Sequence, residues 1–181
     1  NGKVIMFSST QKLENGYRTI KNKNVDTGFG FERMLMFLNG LKDVYRTDLF
    51  VDAVAFIENQ IGVTYGENDE ITKSIRIICD HTRTALMLIG DRNGIVPSNV
   101  GAGYILRRII RRAVRHANEI NLDVKELINI AKIYIEKVYD EAYPLLKEKE
   151  EYIIAELEKE IDKFTKALAL GIKEFDKVIS G

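Results

Sequence analysis

Over the first thirty residues apolar and polar positions fall in short, punctuated runs, and from Phe31 onward they settle into a helical period. The strand-like run Lys3-Val4-Ile5-Met6-Phe7, the polar Ser8-Ser9-Thr10, the turn candidate Glu14-Asn15-Gly16 and a Thr- and Lys-rich approach to Val25-Asp26 predict a β-hairpin or sheet edge. Phe31, Leu35, Leu38 and Leu41 then recur at helical spacing beside Gly40. A second amphipathic segment covers Leu49 to Ile61 and stops at Gly62, and a third runs from about Thr72 to Ile89. The loop from Gly90 to Gly101 holds one of the two prolines, Pro97. Beyond it the pattern is helical to the end, with breaks expected after Asn118 and near Pro144. In the last helix Ile153, Leu157, Ile161, Phe164, Leu168, Ile172, Phe175 and Ile179 keep one stripe, predicting a helix packed along one side with its Glu and Lys residues on a solvated face.

The residues at 101–118 change this from a fold into a candidate surface. Arg107, Arg108, Arg111, Arg112 and Arg115 lie there with no acid among them. Over the whole chain 27 Lys and Arg balance 27 Asp and Glu, so attraction to a polyanion must come from local segregation of charge. At about 100° per residue, the arginines and His116 fall on one half of the helix, and Ile105, Leu106, Ile109, Ile110, Ala113, Val114 and Ala117 on the other. All five cations are guanidinium, a planar fork of donors suited to phosphate. A purely internal role is the alternative, since residues 119–181 carry fifteen acids against ten bases and could pair with them. Upstream, Ser98 or Asn99 is placed to cap the helix, and Gly101 and Gly103 would let a backbone approach an anion.

A second platform is Asp26-Thr27-Gly28-Phe29-Gly30-Phe31-Glu32-Arg33: an acid, two glycines and a helix with an arginine near its start. It could hold an amine with the carboxylate, admit a small substrate beside Gly28 and Gly30, and meet a nucleotide with Arg33. It is not a dinucleotide fingerprint, because the third glycine is missing. One cysteine, Cys79, excludes an internal disulfide and a multi-thiolate zinc site and is compatible with a reducing compartment such as the cytoplasm. Cys79 with His81 and His116 makes no metal ligand set, so no metal is expected. No apolar run reaches the roughly 20 residues of a membrane span, and no secretory signal opens the chain. Asn1 is not an initiator Met and stands just ahead of a strand-like run, which predicts a piece of a larger protein.

Two of these segments together resemble the alanyl-tRNA synthetases, a class II aminoacyl-tRNA synthetase family. Val25 to Arg33 resembles the family's motif 3, and Pro97-Ser98-Asn99-Val100-Gly101-Ala102-Gly103-Tyr104-Ile105-Leu106-Arg107-Arg108 through His116 resembles its tRNA-recognition segment. Tyr45-Arg46-Thr47-Asp48-Leu49-Phe50 and Arg76-Ile77-Ile78-Cys79-Asp80-His81-Thr82-Arg83 match in order between them, so the resemblance covers essentially the whole chain.

The resemblance implies a mainly α fold: a multi-helix domain at 43–181 that binds a tRNA acceptor stem, preceded at 1–42 by a short β-hairpin and strand-helix remnant of the class II catalytic domain. It implies that Asp26 holds the α-amino group of alanine, Gly28 and Gly30 line its pocket and Arg33 contacts ATP phosphate. Asn99 would read the G·U wobble pair of tRNA(Ala), with Arg107, Arg108, Arg111, Arg112 and Arg115 against the RNA. The implied whole is an ATP- and Mg2+-dependent, cytoplasmic alanine-activating ligase that binds neither DNA nor membrane. Motifs 1 and 2 would lie upstream of Asn1, so this stretch holds no complete catalytic set and would not activate alanine alone. The acidic partner of Asn99 and the editing domain would lie beyond Gly181. Phe29 and Phe31 stand where the family usually has Met and Leu. From the residues themselves two other readings remain, a free-standing RNA-binding helical module and a structural helical protein whose arginines are satisfied internally.

Overall fold

A computed structural model describes residues 6–8, 10–13, 15–19, 25–27 and 30–180. Asn1, Lys3-Val4-Ile5, Ser9, Glu14, Gly28, Phe29 and Gly181 lie outside the described residues. The chain divides into two compact units, residues 1–47 and 48–181, five residues beyond the division expected at 42/43. Helices make up most of the described chain.

In the first unit β1 (Met6–Ser8) pairs antiparallel with β4 (Val25–Thr27), setting Phe7 opposite Asp26. β2 (Thr10–Leu13) pairs antiparallel with β3 (Gly16–Thr19), with Thr10 opposite Thr19. Helix α1 (Phe31–Leu38) follows, and none of its residues is buried although six of its eight side chains are apolar. Phe31, Phe37 and Leu38 are exposed by two thirds or more of their surface.

The second unit is a helical assembly centred on α3 (Asp69–Gly90) and α4 (Gly101–Glu119), with α2 (Val51–Ile61) and α5 (Glu126–Ile133) beside α3. Helix α3 begins three residues before the predicted start, because the Asn68 side chain accepts from the backbone N–H of Glu70 and Ile71 at 3.0 Å. That cap satisfies two orphan donors, and Asp69 and Glu70 add charge favourable to the helix N-terminus. Ile75, Ile78, Cys79, Ala85, Leu86 and Ile89 of α3 are buried, meeting Leu106, Ile110, Ala113, Val114 and Ala117 of α4 in one core. Helix α4 ends through Asn121, whose φ of 56° turns the chain, one to three residues past the expected break.

Helix α5 runs into a π-turn at Tyr134–Val138, closed by Tyr139 N–H donating to the Tyr134 carbonyl at 2.9 Å. Pro144 opens the short α6 (Pro144–Glu148), where its missing N–H leaves no donor unpaired. Helix α7 (Glu150–Ser180) is 31 residues long, and at 1.5 Å per residue it extends roughly 46 Å. Its base sits against the end of α3, where a Cβ on Gly90 would lie 2.4 Å from Leu146 Cδ2 and 2.9 Å from Ile153 Cδ1. A larger residue there would require the ends of those two side chains to shift.

Two expectations about α7 are corrected. Its apolar stripe is buried at Ile153, Leu157 and Ile161 but emerges after that, with Ile172, Phe175 and Ile179 exposed. Helical period fixes which face is apolar, not how far a neighbour covers it. Its acids are also not all on a solvated face, since Glu160 is only 5% exposed.

Candidate nucleic-acid interface

Helix α4 and the loop before it carry most of the side chains expected to meet RNA, and the structure sorts them into two groups. Arg107 and Arg111 turn toward α7. Arg111 Nε donates to Glu160 Oε1 at 2.7 Å and Arg107 Nε lies 3.4 Å from the same oxygen. Burying a carboxylate is costly unless cations and hydrogen bonds compensate it, and these two guanidinium groups supply both. Arg111 also lies over the Phe164 ring, 5.0 Å from its centroid. These two arginines therefore have an internal counter-charge.

The remaining three stay outside. Arg108 and Arg112 are exposed, and among the described residues neither forms an ion pair; Arg108 lies 5.9 Å from the centroid of Tyr104. Among the described residues Arg115 pairs only with Glu119 one turn along its own helix, at 3.6 Å and with both side chains about half exposed. Such a pair contributes little to stability and leaves the guanidinium able to exchange partners.

These arginines border an open cleft of about 550 Å³ between α3, α4 and α7. Arg108, Arg111, Arg112 and Arg115 supply its cationic wall, Ile105, Ile109 and Phe164 its apolar surface, and His81 its α3 edge; among the described residues no acid lines it. A concave cationic surface with a low-dielectric wall concentrates its field on an anion. His81 Nδ1 is 3.3 Å from Asp80 Oδ2, and that contact, more than the residual burial opposing it, holds the Asp80 carboxyl below its ordinary value.

The predicted division of α4 needs two corrections. Ile105, placed in the core half, is 53% exposed at the cleft. His116, placed in the cationic half, is buried, with Nδ1 2.7 Å from Glu119 Oε2 and 3.1 Å from Ser74 Oγ of α3. Burial lowers its pKa, and the neighbouring Arg115 and Arg112 act in the same direction against Glu119. The imidazole therefore favours the neutral form.

The loop before α4 also differs from expectation. Neither Ser98 nor Asn99 caps the helix: the N-cap is Val100, without a side-chain bond. Ser98 Oγ instead donates to the Val100 carbonyl at 2.9 Å, and Ser98 N–H donates to the Gly103 carbonyl at 3.1 Å. A Cβ on Gly103 would lie 2.3 Å from Ser98 Oγ and 2.5 Å from the Val96 carbonyl, so its open side is filled by the protein's own loop, not left for an anion. This close packing delivers Asn99 to the surface, where its Oδ1 accepts from Arg107 Nη1. The same Nη1 lies 3.4 Å from the Ser98 carbonyl.

In the first unit Asp26 lies in β4, and Gly28 lies outside the described residues. Gly30 is the N-cap of α1, and the exposed Arg33 follows in its first turn, with Cδ 3.7 Å from the position a Gly30 Cβ would take. Strand β4 and helix α1 are thus close in sequence, and a guanidinium stands in the first turn of that helix. Among the described residues no group of three or more His, Cys, Asp or Glu side chains could hold a metal ion, and no helix is long and apolar enough to cross a membrane. Glu160, Phe164 and His81 were not singled out as site residues from the sequence. Only an apolar position four turns before the helix end marked Phe164, and nothing in the local pattern marked Glu160.

Residues 3–181 match the family model of class II (A) tRNA synthetases. The chain belongs to that family. It is 42% identical over 175 residues to an alanine–tRNA ligase of Borrelia hermsii, a match covering 96% of this chain and 29% of that ligase. An alanine–tRNA ligase of Treponema pallidum is likewise 42% identical over 175 residues, with the same coverage of both. One from Clostridioides difficile is 42% identical over 177 residues, covering 96% of this chain and 20% of the relative. The chain therefore spans less than a third of the length of these relatives.

Proposed function

We propose that this chain is the motif 3 and acceptor-stem-binding portion of an alanine–tRNA ligase, which activates alanine with ATP and esterifies it to tRNA(Ala) in the cytoplasm. The observation that carries the RNA reading is the cleft bordered by Arg108, Arg112 and Arg115, with no acid among its described lining residues and Asn99 exposed in the loop just before the same helix. Arg108 and Arg112, which no carboxylate among the described residues holds, and Arg115, whose exposed pair with Glu119 can exchange, are ready to replace the counterions of a phosphate backbone. These contacts position the stem but carry no sequence information; an amide reaching the shallow minor groove of A-form RNA does. Asn99 is the reader in this account, directed at the G·U wobble pair. Arg107 and Arg111 act from behind it, held by Glu160.

Residues 1–42 are the end of the class II catalytic domain in this reading. Asp26 anchors the α-amino group of alanine, Gly28 and Gly30 leave room for its methyl group, and Arg33 meets an ATP phosphate. The fit for the nucleotide rests on the start of α1, where Arg33 is exposed beside Gly30 and no acid other than Glu32 stands in the first turn. ATP, with Mg2+ in the whole enzyme, supplies the leaving pyrophosphate. The chain's own part is to hold the amine and the phosphate in place, so that positioning and charge stabilisation lower the barrier. The uncovered apolar face of α1 supports a larger parent domain packed over it.

The experiment is binding of an acceptor-stem minihelix to the full-length protein at about 50 and 200 mM salt. Three to four phosphate contacts predict a loss of roughly one and a half to two decades in affinity across that range. A salt-independent response would leave only the structural reading. Alanine-dependent ATP–pyrophosphate exchange should fall in Asp26→Ala; unchanged exchange would remove the amine anchor.

A further inference from the structure

One side chain remote from the loop is tied to the proposed reader. Glu160 lies on α7, buried, yet its Oε1 receives Arg107, whose Nη1 in turn donates to Asn99 Oδ1 and toward the Ser98 carbonyl. We infer that Glu160 is a positioning residue for RNA discrimination: through Arg107 it fixes the Asn99 amide with its oxygen toward the protein, so that Asn99 offers RNA only N–H donors. The inference rests on the proposed reading of Asn99.

The chemistry determines the orientation. A guanidinium carries donors and no acceptor, so the Asn99 atom it meets is the amide oxygen. The amide nitrogen has no partner among the described residues and belongs to an exposed side chain. In the minor groove, pyrimidine O2 and purine N3 are acceptors, whereas the amino group of guanine is a donor. An Asn99 held this way is matched to an acceptor and mismatched to the guanine amino group.

The bridge needs the shape of arginine. Nε engages Glu160 while Nη1 engages the loop, two separated donors on one rigid plane, whereas the ammonium of lysine is a single point. Arg111, closer to Glu160 than Arg107 is, keeps the carboxylate compensated, so Arg107 can be altered without leaving Glu160 wholly unpaired. Glu160 holds Arg111 of the cleft wall as well as Arg107, but Arg107 does not line that cleft, so its link to Asn99 is separable from phosphate binding.

The test uses the full-length protein and an acceptor-stem minihelix with two atomic replacements at the wobble pair. Inosine for guanosine removes the amino donor; 2-thiouridine for uridine weakens the O2 acceptor. In the wild type, 2-thiouridine should cost roughly tenfold in affinity, about one hydrogen bond. That cost should vanish in Asn99→Ala and shrink in both Arg107→Lys and Glu160→Gln, while the cost of inosine stays the same in all four proteins. The salt slope should not change in Arg107→Lys, because Arg107 does not line the cleft and the phosphate contacts there remain. A merely structural ion pair would weaken binding of every RNA equally, and that outcome overturns the inference. So does coupling of Asn99 to inosine instead of 2-thiouridine. Should Glu160→Gln fail to fold, Arg107→Lys decides by itself. Absence of salt-dependent binding in the wild type would overturn the RNA reading first, and this inference with it.

Discussion

Glu160 Oε1 accepts from Arg111 Nε at 2.7 Å across 49 positions of sequence, tying the middle of α7 to the cationic helix. Removing the carboxylate leaves two guanidinium groups, 17% and 28% exposed, without their counter-charge. Breaking a fully buried pair costs about 3–5 kcal/mol, and the partial exposure here lowers that to about 2 kcal/mol for Glu160→Ala. Urea unfolding should show the unfolding free energy falling by that amount, with the midpoint moving down at unchanged m. A change within experimental scatter would mean that water already satisfies both arginines.

The outward arginines should behave oppositely. Arg108→Ala and Arg112→Ala remove no ion pair among the described residues, so stability should stay within about 0.5 kcal/mol. Each should weaken minihelix binding across sequences and reduce the logarithmic salt slope by about one. Arg111→Ala should instead lower stability first. Equal salt slopes in wild type and Arg112→Ala would detach the cleft from the phosphate backbone.

That separation was only half legible in the sequence. The run of arginines, the helix that carries them and the loop before it all follow from period and composition. Which arginine meets an acid does not, because Glu160 sits among many similar glutamates of α7, and its partners lie on another helix. A helical wheel likewise puts His116 beside the arginines and Ile105 with the aliphatic residues. Packing of Ser74 against the end of α4 buries the first, and the open cleft beside α4 exposes the second. The same limit applies to α7, where an unbroken stripe outlasts its cover after Ile161.

Burial holds the His116 imidazole below its ordinary pKa, more than Glu119 beside Nδ1 can offset. In the unfolded chain the ring takes up its proton near pH 6.5, about the usual histidine value. Between the lowered folded value and that point, the unfolded state binds more protons, so stability is full above it and falls as pH decreases through this window. The lowered Asp80 loses its contribution at more acidic pH, below the ordinary Asp value. Urea midpoints between pH 7.5 and 5.5 should therefore fall further for wild type than for His116→Gln. The reverse order would show that Glu119 dominates and the buried ring is charged.

The Cys79 thiol is fully buried, and burial pushes its pKa up to about 12. At pH 8 only roughly one molecule in ten thousand would carry the thiolate that reacts with disulfide reagents. Native protein should be inert to such a reagent, and the same protein in guanidinium should titrate one thiol per chain. Rapid labelling of the native state would mean that the α3 core opens far more often than its packing implies.

Gly103 sets the distance between the Asn99 loop and helix α4. In Gly103→Ala the new methyl group meets the Val96 carbonyl at 2.5 Å, a backbone atom that cannot rotate away as the Ser98 hydroxyl can. The loop must lift, and overpacking of this kind costs about 1–3 kcal/mol. Lifting also draws the Asn99 oxygen from Arg107, while the exposed arginines of the cleft keep their places several residues further on. The variant should therefore lose discrimination between a G·U and a G·C acceptor stem more than it loses salt-dependent affinity. Competition binding with the two minihelices measures this, and an equal loss for both would mean that the loop geometry does not govern what Asn99 reads.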